Sequence, residues 1–540
     1  MARVFVGDSL HKNGLELLEK SGLEVDARPG LEGAELSAAM QAADAMIVRS
    51  KPKVTADLLA EPGKLRAVIR AGVGVDNIDV GAATKNGIVV MNTPDANTIS
   101  TAEHTICMMM ALARNIPQAD ASLKSGKWDR KKFMGTQLAG KTLGIVGLGR
   151  IGREVAKRAL GMEMKVVGYD PFVTPEKAKE FGIEAVGKLE ELMPVCDFLT
   201  VHTPGGPETL DMIGETQIAL LPKGSRILNC ARGGIVNEEA LAAALESGHL
   251  AGAGLDVFSQ EPPPEDSPLL KFPNVVAVPH LGASTTEAQE KVACEAALLA
   301  INYLKAGEIP FAINAAPLDQ KILQDMKLYV DMARRLGLLH AQMCRGSIQK
   351  AVIKYRGEVT EKNTKLLTAA FTAGLLEAHL DQNVNVVNAG FLAKDRGIEV
   401  VEHTSSKIGD FSTLISVDVT TDQKTYTAAA TLFGNQYLRL VRLGAHHLDA
   451  IMDGILFLFT HRDIPGLIGF IGTIFGKHKV NIAQMTVGRQ QPGGEAIAVL
   501  NLDSFPPEEA VKEVQAHEAI TSLCVVKLPG AGEMPDWLGS

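Results

Sequence analysis

Cysteine is scarce in this chain, and its cysteines are far apart. Six occur among 540 residues, with no Cys-x-x-Cys pair and no cluster of histidines nearby. A disulfide framework or a zinc site requires closer spacing than this. We therefore expect free thiols in a reducing compartment and no bound metal.

Long apolar runs and an excess of basic residues are also lacking. No stretch approaches the roughly 20 apolar residues that span a bilayer, and the first residues lack the apolar segment of a signal peptide. The net charge is -9, whereas a nucleic-acid-binding protein needs a basic face. We expect a soluble, cytoplasmic protein that binds a small molecule rather than nucleic acid or a membrane.

The chain does contain a regular alternation of short β-branched runs and Ala- and Leu-rich helical stretches. This pattern is typical of doubly wound parallel sheets with helices on both faces. A first series of strands is predicted at residues 3–6, 45–49, 67–70 and 88–92. A second series is predicted at residues 142–146, 165–169, 197–202, 225–229, 253–257 and 275–278.

A chain of this length is too long for one hydrophobic core, and we divide it into four domains. Residues 1–97 with 285–314 are predicted to form a substrate-binding α/β domain, and residues 98–284 a nucleotide-binding one. Residues 318–450 are read as a mixed α/β intervening domain of helices and short strands, without assignable chemistry. Residues 451–528 follow a βαββαβ pattern, a small sandwich whose open sheet commonly pairs with another copy.

A glycine-rich loop follows the strand predicted at 142–146. Gly147, Gly149 and Gly152 match the G-x-G-x-x-G loop, whose glycines allow a tight turn, close approach of a pyrophosphate and helix packing. The helix N-terminus behind the loop offers free N–H groups to the phosphates. Asp170 ends the next strand and is expected to bind the ribose hydroxyls, which favours NAD over NADP. The alternative is a glycine turn that only packs a structural helix.

Three polar residues stand at later strand ends, each beside Gly or Pro: Arg232, Glu261 and His280. Oxidation of a 2-hydroxy acid needs a group that holds the carboxylate and a base for the hydroxyl proton. The planar fork of Arg232 suits a carboxylate, and His280 titrates near neutrality. Glu261 would orient the imidazole and raise its pKa. Alone, each is more often a surface charge or a structural histidine; together they favour a dehydrogenase site.

With these residues in place, the sequence resembles the D-isomer-specific 2-hydroxyacid dehydrogenases of the long, ACT-containing type. Segments 70–79, 126–135 and 141–153 and the three catalytic segments are the basis of the resemblance, which covers nearly the whole chain. It implies that Arg232 binds the substrate carboxylate, that His280 is the general acid/base and that Glu261 is its partner. It also implies NAD contacts from Arg150, Ile151, Thr203, Cys230, Ala231, Asp256, Gly282 and Ala283.

The implied substrate is 3-phospho-D-glycerate, oxidised to 3-phosphohydroxypyruvate in the first step of L-serine biosynthesis. Its phosphate needs cations, and Arg49 and Arg70 stand at strand ends, with backbone N–H groups offered by Gly72 and Val73. The basic loop 128–132 is another candidate, or simply a soluble surface. A glycerate or hydroxypyruvate reductase and an NAD-binding corepressor-like protein are the alternatives, and the C-terminal module argues against both.

That C-terminal module resembles the ACT regulatory domain, which binds amino acids at subunit contacts. His461, Asp463 and Asn481 match its effector-site turn and strand, and the implied effector is L-serine. Asp463 stands where some relatives have Asn, so its negative charge would affect the affinity for L-serine. A purely oligomeric role for the module is the alternative. The resemblance implies a homotetramer.

Overall fold

The computed structural model describes residues 1–380, 383–407, 409–434, 436–535 and 537. These residues form four β-sheets, of which the first two are wholly parallel. The predicted fold class, two doubly wound sheets followed by a mixed α/β segment and a βαββαβ unit, is confirmed. No helix of the described residues is long and apolar enough to span a membrane.

The first sheet has five parallel strands. Its elements are β1 Arg3–Val6, α1 Lys12–Lys20, β2 Glu24–Ala27, α2 Gly33–Gln41, β3 Ala45–Val48, α3 Ala56–Leu59, β4 Ala67–Arg70, α4 Val80–Lys85 and β5 Val89–Asn92. The strand order is β2-β1-β3-β4-β5. Strands β3 and β5 are buried along their whole length, as expected for a parallel sheet covered on both faces.

The second sheet has seven parallel strands, in the order β12-β11-β10-β9-β6-β7-β8. Its elements are α5 Thr98–Arg114, α6 Ile116–Lys124, β6 Thr142–Val146, α7 Arg150–Gly161, β7 Lys165–Tyr169, α8 Pro175–Glu180, β8 Glu184–Ala185, α9 Leu189–Leu192, β9 Phe198–Val201, α10 Glu215–Leu220, β10 Arg226–Asn229, α11 Glu238–Glu246, β11 Gly252–Leu255, β12 Val275–Ala277 and α12 Thr286–Ala306. Helix α7 begins at Arg150, directly after Gly149, so the glycine loop leads straight into it.

Two long helices cross between these sheets. Helix α5 leaves the first sheet and packs on α7, and α12 returns to pack on α1 and β3. The Thr285 side chain caps the start of α12, and Gly307 ends it with a φ of 70°, a left-handed conformation that glycine adopts without strain. The N-terminal ends of α5 and α12 therefore lie at the junction of the two α/β units.

The third sheet is mixed. The prediction that its strands are short is wrong. Its elements are α13 Gln320–Met343, β13 Ile348–Gly357, α14 Thr364–Glu377, α15 Ala389–Asp395, β14 Glu399–Ser405, β15 Thr413–Thr421, β16 Thr425–Phe433, β17 Tyr437–Leu443 and β18 His446–Ile451. Strand β13 has 10 residues and β15 has 9. Buried and half-buried residues alternate along β15, because the sheet buries one face.

The fourth sheet is antiparallel, in the order β20-β21-β19-β22. Its elements are β19 Ile455–Arg462, α16 Leu467–Lys477, β20 Ile482–Arg489, β21 Glu495–Leu502, α17 Glu508–Gln515 and β22 Ile520–Lys527. The face opposite the helices was expected to be open to another copy. Instead, Leu458, Ile497 and Val499 of that face join one hydrophobic core with residues of the third sheet and α13.

A buried arginine joins the third and fourth sheets. Arg335 of α13 is 1% exposed and pairs with Asp331 through Nε at 2.8 Å. Its Nη atoms donate to the carbonyls of Met452, Pro529 and Gly530, which flank the fourth sheet on both sides. The C-terminal unit is thus bonded to α13 at its entry and at its exit.

Candidate active site

A cavity of about 410 Å³ lies between the first two sheets, at the carboxyl ends of their strands. Ligands bind at this edge of parallel sheets. The first domain contributes Val73, Gly74, Asp76 and Asn92 to its wall, and the second contributes Arg150, Ile151, Thr203, Cys230, Ala231, Arg232, Asp256, His280, Gly282 and Ala283. Of the predicted catalytic residues, Arg232 and His280 line the cavity, and Glu261 lies behind His280.

His280 and Glu261 form a direct pair. His280 Nδ1 lies 2.8 Å from Glu261 Oε2, and the Phe258 N–H donates to Oε1 at 3.2 Å. The bond to Glu261 raises the pKa of His280, while burial opposes the rise. Burial alone would raise the pKa of Glu261, but the bond from His280 holds it below its usual value. Because Glu261 engages Nδ1, Nε2 is the nitrogen left for a substrate.

Arg232 reaches across the cleft. Its Nε donates to Asp76 Oδ2 at 3.2 Å, and its Nη1 donates to the Ala231 carbonyl at 2.7 Å. Nη2 lies over Gly74, where a Cβ would collide with it. Two of the three guanidinium nitrogens are therefore fixed by the protein, and Nη2 faces the loop that contains Val73.

Arg70 stands close to both Arg232 and Arg49. Arg70 is largely buried, and burial lowers its pKa to about 10, with Arg232 and Arg49 adding like-charge repulsion. Its Nη1 donates to the Ala71 carbonyl at 3.0 Å, against Gly72, where any Cβ would overlap that nitrogen. Arg49 Nη1 donates to the Ser9 carbonyl at 3.3 Å. Of the predicted substrate residues, only Val73 lines the cavity itself.

The glycine loop has the shape that a dinucleotide needs. Gly147 has a φ of 95°, and Gly152 packs so closely on the Gly147 carbonyl that no Cβ fits. A Cβ at Gly149 would meet nothing within 4 Å, so the start of α7 is open to an anion. Asp170 is held by the N–H groups of Leu148 and Phe172, each at 2.8 Å.

Two buried polar atoms at the cavity wall also support a dinucleotide site. Thr203 Oγ1 and His202 Nδ1 have no hydrogen-bond partner among the described residues. Buried polar groups are rarely left unpaired, and a dinucleotide offers partners for both. Arg150 is instead occupied, with its Nε 2.5 Å from Asp95 Oδ1. The residues present therefore fit NAD.

Sequence reasoning missed several residues in the cavity wall or next to it. Asp76 belongs to a segment that supported the resemblance, but no role was given to it. His202 lies at the end of β9, where burial lowers its pKa to about 3, so it is neutral. Asp95 pairs with Arg150, and His104 lies beneath the cavity on α5. The sequence pattern of α5 does not indicate His104 as a functional residue, because its contact with Asp256 is formed only in the tertiary structure.

The three predicted effector residues are not brought together within one chain. Asp463 accepts from Arg489 at 3.0 Å and from the Gly493 N–H at 3.2 Å. Asn481 donates to Asp503 at 2.7 Å. Across the sheet, Arg489 pairs with Ala496 and Ile482 with Leu502, so Asp463 and Asn481 lie at opposite ends. His461 is buried, with Nδ1 bonded to the Arg462 carbonyl.

Three family models match the chain. Residues 106–282 match the NAD binding domain of D-isomer specific 2-hydroxyacid dehydrogenases, residues 325–444 the D-3-phosphoglycerate dehydrogenase intervening domain and residues 455–519 the ACT domain. Together with the paired His280 and Glu261, the first match defines the class: an NAD-dependent dehydrogenase of D-2-hydroxy acids.

Full-length relatives narrow this class. D-3-phosphoglycerate dehydrogenase of Methanocaldococcus jannaschii is 42% identical over 98% of this chain and 100% of its own, and that of Bacillus subtilis is 42% identical with the same coverage. That of Rattus norvegicus is 47% identical over 74% of this chain and 75% of its own. The chain belongs to the D-3-phosphoglycerate dehydrogenase family.

Solved structures of related enzymes are similar to the first two domains of this chain. A glyoxylate reductase from Paecilomyes thermophila has a TM-score of 0.54 and 28% identity, covering 58% of this chain and 98% of its own. The D-lactate dehydrogenase of Aquifex aeolicus, complexed with NAD and lactic acid, has a TM-score of 0.50 and 28% identity, covering 56% and 95%.

Proposed function

We propose that this protein oxidises 3-phospho-D-glycerate to 3-phosphohydroxypyruvate with NAD, as the first step of L-serine biosynthesis. The observation on which this rests is the His280–Glu261 pair at 2.8 Å, in which His280 lines the same cavity as Arg232. An acid/base and a carboxylate-binding cation thus face the same space beside a dinucleotide loop. The full-length relatives named above support the choice of substrate.

Arg232 binds the substrate carboxylate and polarises C2. Its Nη2 is the guanidinium nitrogen without a hydrogen bond to any described residue, and the Val73 loop lies opposite it. A guanidinium suits a carboxylate because its donors lie in one plane. Arg49 and Arg70 supply the positive potential for the phosphate. Binding of the dianion would also relieve the repulsion among the three arginines.

His280 receives the proton of the C2 hydroxyl on Nε2, and Glu261 stabilises the imidazolium that forms. When bound, NAD supplies the hydride acceptor. The N-terminus of α7 and Gly149 would hold the pyrophosphate and Asp170 the ribose, and Thr203 and Asp256 lie at the cavity wall. In the reverse direction, the same imidazolium returns the proton to the alkoxide.

The substrate is tested by following NADH formation with 3-phospho-D-glycerate, D-glycerate and D-lactate. We expect the highest kcat/KM with the phosphorylated acid. Preference for D-glycerate would instead favour the reductase alternative, and NAD binding without turnover would favour the corepressor-like one. The ACT domain and the intervening domain argue against both.

We further propose that the protein is cytoplasmic and forms a homotetramer. Each chain would have four domains, formed by residues 1–97 with 285–314, 98–284, 318–450 and 451–528. The segment 110–134 exposes the large apolar side chains Met110, Ile116, Leu123, Trp128 and Met134, and exposed apolar side chains are typical of surfaces that contact another chain. All six cysteines are free, which suits a reducing compartment. Light scattering after gel filtration measures the mass and tests the tetramer.

L-serine is proposed as an effector of the ACT domain. Because Asp463 and Asn481 lie at opposite ends of one sheet, a site that uses both takes them from two copies. The Asp463 carboxylate, paired with Arg489, would accept the serine ammonium group. Assays with and without L-serine test this claim, and absence of any effect would leave the dehydrogenase assignment intact.

A further inference from the structure

The N-terminal part of α5 lies against the loop that contains His280. Ser100 Oγ donates to the Gly282 carbonyl at 2.7 Å, and Thr101 Oγ1 reaches the same oxygen at 3.3 Å. Thr285, just after the loop, donates to Ser100 Oγ at 3.2 Å. Ser100 and Thr101 are buried, so these bonds are shielded from water.

Asp256 holds the same loop from the other side. It is 1% exposed, and its carboxylate accepts the N–H groups of Leu281 at 2.6 Å and Gly282 at 2.9 Å. Its carbonyl accepts the His280 N–H at 2.9 Å. The loop is thus bonded to Asp256 at three consecutive residues.

His104 connects the two supports. Its Nε2 lies 3.2 Å from Asp256 Oδ1, a close polar contact that is not aligned as a hydrogen bond, and it belongs to α5, one turn after Ser100. A buried carboxylate is costly unless charges or donors surround it. Burial alone would raise the pKa of Asp256, and His104 with the two loop N–H groups holds it below its usual value.

The backbone of His280 shows why such support is needed. Its φ is 55°, in the left-handed region that residues other than glycine seldom adopt. Such a conformation persists only where the surroundings determine it. The bonds from Asp256 and from α5 are the surroundings that do so.

We propose that Ser100 and His104 of α5 are positioning residues for His280, which hold its loop in the orientation for proton transfer and link that orientation to the position of the first domain. The inference rests on the proposed function, since it assigns the proton transfer to His280. Neither side chain needs to touch the substrate: Ser100 acts through Gly282 and His104 through Asp256.

The link to the first domain follows from the position of α5. Five residues connect the end of β5 to the start of the helix at Thr98, and Asp95 in this connecting segment pairs with Arg150 of the second domain. A shift of the first domain therefore displaces the turn that contains Ser100. Because Ser100 is bonded to Gly282, closure of the cleft would set the final orientation of His280.

The test uses the full-length enzyme and four variants. His104→Leu removes the imidazole, His104→Gln returns an amide donor to its place, and Ser100→Ala removes the hydroxyl. Glu103→Gln is the matched control, because Glu103 is the exposed neighbour on α5 and its ion pair among the described residues is with Arg158 at the surface. For each we would measure kcat, both KM values, the dissociation constant of NAD by fluorescence and the pH profile of kcat/KM.

For His104→Leu and Ser100→Ala we expect kcat to fall about tenfold, the cost of a misplaced catalytic group, with NAD affinity within about twofold. His104→Gln should recover part of the loss, and Glu103→Gln should match the parent. In His104→Leu the midpoint on the acid side of the kcat/KM profile should move to lower pH, because a loosened loop weakens the contact of His280 with Glu261. Asp256 and Arg232 are the other charged groups that face His280.

Unchanged kcat in both His104→Leu and Ser100→Ala would overturn the inference, as would an equal loss in Glu103→Gln. A loss of NAD affinity in proportion to activity would show a cofactor-site role instead. The proposed function fails separately: if His280→Ala retained turnover, His280 would not be the acid/base at all. If His280→Ala were inactive while His104→Leu and Ser100→Ala kept full activity, the positioning role of α5 would be overturned and the proposed function would stand.

Discussion

Arg232 Nε lies 3.2 Å from Asp76 Oδ2, and this ion pair joins the two α/β domains across the cleft. Asp76 is 71% exposed on its side chain, so the pair contributes little to stability. Its effect is geometric: it fixes the plane of the guanidinium while Nη2 remains for a ligand. The residue that binds the substrate carboxylate is therefore oriented by the opposite domain.

Asp76→Ala is expected to raise the KM for 3-phospho-D-glycerate by about tenfold, because Arg232 loses one of its two fixed contacts and binds the carboxylate less well. The KM for NAD should change little. Asp57→Asn, an exposed acidic residue on α3, is the control for loss of one charge. Equal KM values in Asp76→Ala and the parent would contradict the positioning role.

His280→Ala should lower kcat by about 10²- to 10⁴-fold, the usual contribution of a general acid/base. NAD affinity, measured by fluorescence quenching, should remain near that of the parent, because the glycine loop and Asp170 lie elsewhere. If NAD binding were lost together with activity, His280 would have to be reassigned to the cofactor site.

The pH dependence follows from the contact with Glu261, which raises the pKa of His280. Oxidation needs neutral His280, so kcat/KM rises as pH rises through that pKa, and a raised pKa moves the rise to higher pH. Glu261→Gln removes the negative partner, and the midpoint should move to lower pH while kcat falls. A midpoint that stays in place would show that another group controls the profile.

Cofactor choice depends on Asp170. Asp170→Ala removes the carboxylate that would repel the 2′-phosphate of NADP and bond the ribose of NAD. We expect KM for NAD to rise and the preference for NAD over NADP to shrink by at least about tenfold, since one charged hydrogen bond contributes roughly 1.5–3 kcal/mol. An unchanged ratio of kcat/KM values would contradict this role.

The buried Arg335 predicts a stability effect far from the cleft. Arg335→Met removes the partner of Asp331 and four hydrogen bonds to backbone carbonyls, and breaking a buried pair costs about 3–5 kcal/mol. Thermal unfolding should shift to lower temperature. The double variant Arg335→Met/Asp331→Leu should recover part of the loss, because no unpaired charge remains. Equal stability of the two variants would contradict this explanation.

The fold was largely predictable because most strands of the first two sheets are mainly buried and appear as short apolar runs. Strands β1, β4, β6 and β7 have the predicted bounds. Strands β2 and β8 were missed because they are short, polar edge strands. The long strands of the third sheet were also misjudged, because alternating sequences bury only one face there.

The site was predictable only in part. Glycine loops and strand-end residues are local signals, and these indicated Arg232, Glu261 and His280. Asp76, Asp95 and His104 act through residues far away in the chain, so no local pattern marks them. Asp463 and Asn481 show the opposite case: a local match to a motif does not say that two residues share one site.

The central claim is that the cleft moves a hydride from C2 to NAD while His280 takes only the hydroxyl proton. The most direct measurement is the fate of deuterium in 3-phospho-D-glycerate labelled at C2, followed by mass spectrometry of the reduced cofactor. The account predicts that the label appears in NADH and not in water. Loss of the label to solvent would show that a base removes the C2 hydrogen as a proton, and would contradict the account.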